Sequence, residues 1–223
     1  MTTVAHIQAL PNWQVITGSD IGPAVPKITF TQEIAPPPPP PPATLTMDIT
    51  GVVGKYADGV VRSPDLPLPP GTSSAILTAV FSVDEASLEF AGGLEMGGKF
   101  TDSEGYTNNG QIQFSYNHSQ TEMLLDLTSI LGEGWDSTGN MMPKFAPDVL
   151  HTVATAYEFQ PKFGVSYVEV DGRRYVTAEA MEGVAYRNLG WPKDTFMVNM
   201  QPNTNQKGGN WLWTLHDVNV ELA

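Results

Sequence analysis

Two tryptophans near the carboxyl end are the side chains best suited to bind a ligand. If their strand is regular, Trp211 and Trp213 share one face with Asp217 and Asn219. A sugar ring has an apolar C–H face edged by hydroxyl groups, so indole rings beside Asn and Asp suit it. The pattern therefore predicts a glycan-binding platform. A β-bulge near His216 would instead turn both tryptophans into the core, where most tryptophan side chains lie.

Other aromatic candidates lie in segments expected to be loops. Trp135 follows a glycine-rich stretch, and Trp191 lies between a glycine and a proline, with Tyr186 and Arg187 just upstream. Loop side chains often contact ligands because a rigid scaffold presents them. We therefore predict that Trp135, Tyr186, Arg187 and Trp191 bind the ligand. The alternative is that the tryptophans only close the end of the domain.

A short acidic segment offers oxygen ligands for a metal ion. Asp102, Glu104 and Asn108 lie within one predicted loop, and calcium prefers such hard oxygen donors. The sequence thus allows a calcium site here. The alternative is a solvated hairpin loop, which is common in acidic proteins.

The amino-acid composition limits which classes of partner the protein is expected to bind. There are 24 acidic and 11 basic residues, giving a net charge of −13. Because phosphate backbones and anionic lipid surfaces are bound mainly by Lys and Arg, we expect neither nucleic-acid binding nor membrane association. The chain has no cysteine, which excludes disulfides and thiolate chemistry. We expect no membrane span, which would need about 20 apolar residues in a row. Residues 1–10 do not resemble a signal peptide.

Apolar residues recur with a period of two, as half-buried strands require. The clearest examples are segments 75–83, 111–116 and 195–200. Turns are predicted at 58–59, 108–110 and 171–172, where Asn, Asp and Gly tolerate positive φ angles. The glycine pairs at 92–93 and 97–98 indicate a tight turn or a pair of bulges. These features predict an all-β protein, a two-sheet antiparallel β-sandwich of about ten to twelve strands.

A run of seven prolines at 36–42 marks the predicted domain boundary. Such a run forms an extended polyproline II rod, which would act as a stiff linker. The alternative is a docking ligand for modules with aromatic-lined grooves. Residues 1–35 are predicted to be an N-terminal arm with one possible strand at 27–32. That arm could join copies of the chain into a homo-oligomer. Residues 43–223 are predicted to form the β-sandwich domain.

One pair of segments resembles a known superfamily. His-Thr-Val at 151–153 leads to Tyr157, and the next apolar run ends in Asp171-Gly172; the chain closes with an Asp-Val-x-Val pattern at 217–220. This is similar to concanavalin A-like jelly rolls, which include legume-type lectins, laminin-G-like modules and family 16 glucanases. The resemblance implies a jelly-roll topology and a carbohydrate ligand.

The glucanase branch of that superfamily needs paired carboxylates along one strand, and none is present. The nearest cluster, Glu85, Glu89 and Glu95, lacks the required spacing and is predicted to face solvent. The isolated histidines do not suggest the constellation that polysaccharide lyases of similar fold use.

We therefore predict a non-catalytic glycan-binding or surface-adhesion module, located outside the cell or on a particle surface. One alternative is a structural assembly subunit of a virion or filament that oligomerises through the arm. Another is a carbohydrate-active enzyme whose carboxylates come from separate strands.

Overall fold

The computed structural model describes most of the chain. The described residues are 2–18, 27–33, 43–51, 53–54, 56–116, 119–128, 135–159, 163–182, 184–187 and 192–223. The predicted polyproline rod at 36–42 lies outside them, as does Trp191. Among the described residues, no helix is long and apolar enough to cross a membrane.

The alternating sequence forms almost only β structure. In chain order the strands are β1 (Thr2–Val4), β2 (Gln14–Gly18), β3 (Lys27–Glu33), β4 (Thr44–Gly51), β5 (Asp58–Arg62), β6 (Leu66–Pro67), β7 (Ser74–Val83), β8 (Ala91–Thr101), β9 (Tyr106–Ser115), β10 (Glu122–Thr128), β11 (Trp135–Pro143), β12 (His151–Glu158), β13 (Gly164–Val170), β14 (Arg173–Glu182), β15 (Val184–Arg187), β16 (Thr195–Thr204) and β17 (Gly209–Leu222). Two short 3-10 helices, Ile7–Ala9 and Glu85–Phe90, lie between strands.

The strands form two antiparallel sheets. Sheet A has the order β14-β13-β12-β7-β17-β4-β3, with β1 also paired to β17. Sheet B has the order β11-β10-β9-β8-β16-β5-β2, with β15 on β9 and β6 on β16. Some neighbours are consecutive in the chain, such as β8 and β9, whereas others are far apart in sequence, such as β17 beside β4 and β16 beside β5. The predicted fold class, a two-sheet jelly-roll sandwich, is confirmed.

The core lies between the sheets and follows the period-two pattern. Every second residue of β7 is buried, from Ala75 to Val83, and the same alternation buries Ile112 and Phe114 of β9. The largest fully buried side chains include Trp211, Trp213, Tyr157, Phe81 and Phe114. Burial of one large aromatic ring removes about 150–250 Å² from water, worth about 4–6 kcal/mol. These rings therefore account for much of the stability of the sandwich.

A β-bulge at His216 reverses the face of the last strand. In the pairing of β17 with β7, Leu215 is opposite Phe81 and Asp217 is opposite Val80, which leaves His216 as an extra residue. Odd-numbered residues therefore point inward before the bulge and even-numbered ones after it. Trp211 and Trp213 are 0% and 1% exposed. The predicted tryptophan platform is wrong, because the bulge places both rings in the core.

The N-terminal residues belong to the sandwich. Strand β1 pairs with β17, β2 with β5, and β3 with β4. Strand β3 matches the strand expected at 27–32, and Ile7 is 0% exposed within the core. The division into an arm at 1–35 and a domain starting at 43 is therefore corrected: residues 2–18 and 27–33 supply strands to both sheets of their own chain.

Only one of the three predicted hairpin turns is a turn. Asp171 and Gly172 have positive φ angles of 49° and 79° and connect β13 to β14. Segments 58–59 and 108–110 lie inside β5 and β9, as the glycine pairs of 92–93 and 97–98 lie inside β8. Gly110 is needed for packing, because a Cβ there would lie 2.6 Å from the ring of Tyr157.

The segment that carries the superfamily resemblance is a hydrogen-bonded unit. Asp171 Oδ1 accepts a hydrogen bond from the backbone N–H of Thr152 (2.8 Å), and its Oδ2 lies 2.7 Å from His151 Nδ1. The other ring nitrogen of His151 lies 2.8 Å from the carbonyl oxygen of Ala146. The Asp-Gly turn and the His-Thr-Val strand thus fix each other's position at one end of sheet A.

Candidate functional site

The outer face of sheet B, opposite the face that packs on sheet A, carries a row of polar side chains across neighbouring strands. We call it the polar face. Its central row follows from the strand register: Gln201 of β16 lies opposite Glu95 of β8, and Glu95 lies opposite Gln113 of β9. Gln113 in turn lies opposite Asp126 of β10. Adjacent strands are about 4.8 Å apart, so these four side chains form one continuous polar row.

Glu95 is the centre of this row. It is only 6% exposed although it faces away from the core. Its Oε1 accepts hydrogen bonds from Gln113 Nε2 (3.0 Å) and Asn203 Nδ2 (2.6 Å). Among the described residues, no hydrogen bond to its Oε2 is found. The described residues thus fix one carboxylate oxygen and not the other.

Burial raises the pKa of Glu95 to about 7. The amide hydrogen bonds from Asn203 and Gln113 favour the ionised form and oppose this rise, while the nearby charge of Asp58 adds to it. Its carboxyl group can therefore exchange a proton near neutral pH. Desolvated carboxyl groups of this kind are concentrated at functional sites.

The next outward position on β8 after Glu95 is Gly97, where the neighbouring backbone leaves no room for a side chain. Gly97 has no side chain, and a Cβ there would collide with the carbonyl oxygen of Gly110 on the neighbouring strand. Asn199 and Gln111 are its partners on the two adjacent strands. Asn199 is 0% exposed, and its Nδ2 has no hydrogen-bond acceptor. A buried amide donor without a partner costs about 1–3 kcal/mol, so its retention needs an explanation.

Cationic side chains lie on the other side of Gly97 from Glu95. Lys99 is the next outward residue of β8 after Gly97, and Arg62 of β5 lies opposite Asn199. Arg62 Nε donates to Asn199 Oδ1 at 3.4 Å. Burial, together with the nearby charge of Arg62, lowers the pKa of Lys99 to about 8. The polar face therefore has an acidic end around Glu95 and a basic end around Lys99.

Chemically, this arrangement can bind a polar, hydroxyl-rich ligand. A carboxylate oxygen accepts hydrogen bonds from hydroxyl groups, and side-chain amides both donate and accept them. Gln113, Gln201 and Asn203 are all partly exposed and flank Glu95 on two strands. Because they lie on strands, their positions are better fixed than those of loop residues.

Among the predicted ligand-binding residues, Trp135 is the one with a described side chain that lies on the polar face. It is the first residue of the edge strand β11 and pairs with Thr128 of β10. Asp126, two residues earlier on β10, belongs to the polar row, so Trp135 shares its face. Its side chain is partly exposed. The backbone of Tyr186 pairs with Thr107 of β9. The side chains of Tyr186 and Arg187, and all of Trp191, lie outside the described residues.

Asp217 and Asn219 instead attach the N-terminal segment to sheet A. Asp217 Oδ1 lies 3.0 Å from His6 Nδ1 and accepts a hydrogen bond from Gln8 Nε2 (3.1 Å). Asn219 donates to Asp217 Oδ2 (2.8 Å) and accepts from the backbone N–H of His6 (2.9 Å). Burial raises the pKa of Asp217, but the hydrogen bonds from Asn219, His6 and Gln8 lower it more. These two residues were predicted to bind ligand, and the structure gives them structural partners.

The candidate calcium residues do not form a metal site. Asp102 closes the β8–β9 hairpin, since its Oδ1 accepts hydrogen bonds from the backbone N–H groups of Glu104 (2.9 Å) and Tyr106 (2.8 Å). The described residues contain no group of three or more His, Cys, Asp or Glu side chains that could hold a metal ion. Asp102 and Asn108 do line a recess of about 260 Å³ at one end of the sandwich, next to Phe100 and Phe159. A calcium ion therefore has no assembled set of ligands here.

The sequence pattern did not identify the polar face as a site. It placed Glu95 in solvent as part of an acidic cluster, and the structure corrects this. One signal was present: the alternation in 111–116 put Gln111 and Gln113 on a polar face. Glu95, Asn199 and Asn203 could not be joined to them without the strand order, because they come from strands that are far apart in sequence.

The sequence matches no protein-family model, and no curated protein matches it in sequence. The carbohydrate recognition domain of Emp47p is similar in structure, with a TM-score of 0.51, 10% identity, and coverage of 99% of this chain and 95% of that one. This chain has the concanavalin A-like jelly-roll fold. Lower similarity is found to alginate lyase A1-II', with a TM-score of 0.48, 11% identity and coverage of 81% and 80%. It is also found to the exoplasmic domain of VIP36 bound to Ca²⁺ and Man3GlcNAc, with a TM-score of 0.46, 7% identity and coverage of 87% and 82%. At these identities the likeness concerns the fold.

Proposed function

We propose that this protein is a glycan-binding module and that its ligand lies across the polar face of sheet B. The observation that carries the proposal is the group of amides around Glu95. Gln113 and Asn203 hold one oxygen of a buried carboxylate, while no described residue holds the other. A sugar hydroxyl donating to Oε2 would complete the hydrogen bonding of this group.

Two further features support a sugar as the ligand. The neighbouring amides of Gln113, Gln201 and Asn203 can each donate and accept hydrogen bonds, as adjacent hydroxyl groups of a sugar require. Trp135, at the edge of the same face, offers an aromatic ring for the apolar side of a pyranose. The structurally similar domain of Emp47p is a carbohydrate recognition domain. An extracellular or particle-surface location stays a prediction.

The test is glycan binding by the wild-type protein and by two matched variants. Glu95→Gln removes the charge at the proposed site and keeps the shape of the side chain. Glu221→Gln makes the same chemical change at an exposed position of β17 in sheet A. After ligands are found on a glycan array, calorimetry should show at least a tenfold weaker affinity for Glu95→Gln and unchanged affinity for Glu221→Gln. Equal affinities for all three proteins would contradict the proposal.

A second function is favoured by one specific observation. Glu95 on β8 and Asp126 on β10 are both largely buried, with 6% and 7% exposure, and lie on the polar face two strands apart. The strand spacing separates their backbones by about 10 Å, which is compatible with two carboxylates acting on opposite sides of a glycosidic bond. An enzyme would release reducing ends from an oligosaccharide that binds, and Asp126→Asn would abolish the release. Bound oligosaccharide that is recovered intact supports the non-catalytic module.

A further inference from the structure

A cavity lies at the side of the sandwich, away from the polar face. It has a volume of about 330 Å³ and lies where the edge strand β11 of sheet B meets the edge strand β14 of sheet A. Its walls are residues 142–146, His151 at the start of β12, and the hairpin between β13 and β14. We call it the side cavity. Its volume is at the lower end of the range for small-molecule sites, so it suits one small molecule rather than a chain of sugars.

The inner wall of the side cavity is apolar. It is lined by four buried side chains, Met142, Phe145, Val170 and Tyr175. The ring of Phe145 also contacts that of His151, with ring centroids 4.8 Å apart. Both ring nitrogens of His151 lie against oxygens of Asp171 and Ala146, so neither is available to a ligand. The wall therefore offers ring faces and a thioether, which favour an apolar, aromatic body.

Two cationic side chains line the same cavity. Arg173 is the first residue of β14, and it shares the inward-facing side of that strand with the buried Tyr175. Its guanidinium carbon lies 5.0 Å from the ring centroid of Tyr175. Lys144 directly follows β11, and its Nζ lies 5.6 Å from the ring centroid of Tyr116. The aromatic rings thus help to position both cations without neutralising their charge.

The charge of the side cavity differs from that of the whole chain. Acidic residues outnumber basic ones by 24 to 11 overall. The described lining of the cavity instead contains two cations, Lys144 and Arg173, and one acidic residue, Asp171. Both carboxylate oxygens of Asp171 are already engaged within the fold. The side cavity is therefore a place where this acidic protein favours an anion.

The surroundings of the two cations leave their charges to a ligand. Among the described residues, no ion pair with a carboxylate is found for Lys144 or Arg173. The adjacent Arg174, on the opposite face of β14, is paired with Glu169 at 3.6 Å. Burial, together with the nearby charge of Lys207, lowers the pKa of Lys144 from its ordinary value. An anion in the cavity would oppose that change, because it stabilises the charged ammonium group.

We propose that the side cavity binds a small carboxylate with an apolar, aromatic body. The carboxylate pairs with Arg173, whose guanidinium N–H groups match its two oxygens, and Lys144 adds a second positive charge. The aromatic body lies against Phe145 and Tyr175. No residue that lines this cavity belongs to the polar row of sheet B. The inference therefore goes beyond the proposed glycan binding and does not depend on it.

The test titrates the whole chain with ligands that share a body and differ in charge. The carboxylates 3-phenylpropionate and 2-naphthoate are compared with their primary amides, and acetate serves as a carboxylate without an aromatic body. Binding is followed by NMR on protein labelled with ¹³C at the methionine methyl groups. The resonance of Met142 in the cavity wall is assigned from its loss in Met142→Leu.

Three variants separate charge, position and space. Arg173→Met removes the proposed partner of the carboxylate. Arg174→Met makes the same chemical change on the opposite face of β14 and is the matched control. Ala146→Trp, at an exposed position of the lining, fills the cavity without changing the charge. Circular dichroism and thermal unfolding verify that each variant is folded.

The Met142 methyl group should shift with both aryl carboxylates, which should bind at least tenfold more tightly than their amides and than acetate. Arg173→Met should lose the preference over the amides, Arg174→Met should keep it, and Ala146→Trp should abolish binding of every ligand. Amides or acetate that bind as tightly as the aryl carboxylates would overturn the inference, as would a preference that survives in Arg173→Met. The absence of any shift at Met142 would overturn it too. Glycan binding should be unchanged in all three variants, so the two sites are tested separately.

Discussion

Glu95→Gln should make the protein more stable at alkaline pH while it weakens ligand binding. Burial raises the pKa of this carboxyl group from an ordinary value of 4.5 to about 7. A tenfold change in acidity corresponds to about 1.4 kcal/mol. At a pH where Glu95 is ionised in both the folded and the unfolded protein, its burial therefore lowers the free energy of unfolding by about 3 kcal/mol.

The pH dependence follows from the sign of this shift. Because the folded pKa of Glu95 is raised, its contribution to stability is fully present below about pH 4.5 and is lost as the pH rises through 7. Glutamine has no charge at any pH and keeps an oxygen that can accept from Gln113 and Asn203. The variant should therefore match the wild type near pH 4.5 and exceed it by up to about 3 kcal/mol at pH 8.

Urea unfolding at pH 4.5 and pH 8 measures the effect, with Glu221→Gln as the control for a general change in net charge. The difference in the free energy of unfolding between Glu95→Gln and this control should grow with pH. A Glu95→Gln protein that is no more stable than the control at pH 8 would show that the carboxyl group is not desolvated. A residue that destabilises the fold and is needed for binding would be a mark of function.

Three other predictions concern the fold. Trp213→Ala should lower the free energy of unfolding by about 3–5 kcal/mol, because the ring is buried in the core; a stable variant that has only lost ligand binding would restore the platform hypothesis. Asp217→Ala should speed proteolysis near His6 and Gln8, and identical proteolysis of the two proteins would contradict this. In the wild type, the contribution of Asp217 to the free energy of unfolding should be lost as the pH falls through its lowered pKa. A stability difference between the two proteins that persists at low pH would contradict that. Tyr157→Phe should cost about 1–3 kcal/mol in urea unfolding. Its hydroxyl donates to the carbonyl of Gly110 (2.9 Å) and accepts from the N–H of Gly98 (3.1 Å), and no measurable cost would mean that these bonds do not contribute.

Local patterns predicted the parts of the fold that depend on local physics. The alternation in 75–83 and 195–200 predicted which residues of β7 and β16 face the core, because the period of a strand is two in any sheet. Asp171-Gly172 predicted a turn because both residues adopt positive φ angles there. Of the two glycine pairs of β8, 92–93 does contain an irregularity, since Gly92 is an extra residue in the pairing with β16. The turn predicted at 108–110 is absent, and Gly110 instead makes room for the rings of Tyr157 and Phe163. That role is visible only after the strands are paired.

Local patterns could not predict the bulge at His216 or the grouping of residues on the polar face, for a related reason. One extra residue in β17 reverses which side chains are buried, and only the pairing with β7 shows where it occurs. In the same way, Glu95, Gln113 and Asn203 come from three strands, and each has an ordinary sequence context. Their proximity depends on the order of strands in sheet B, which local sequence patterns do not reveal.

The most direct test of the central claim is to map where a glycan binds. Two-dimensional NMR of the ¹⁵N-labelled protein, titrated with the tightest ligand from the array, reports on each side-chain amide group. We expect the resonances of Gln113, Asn199 and Asn203 to shift with the ligand, while those of Asn219 on sheet A stay unchanged. Shifts confined to Asn219, or to Asn108 beside the recess at the end of the sandwich, would contradict binding at the polar face of sheet B.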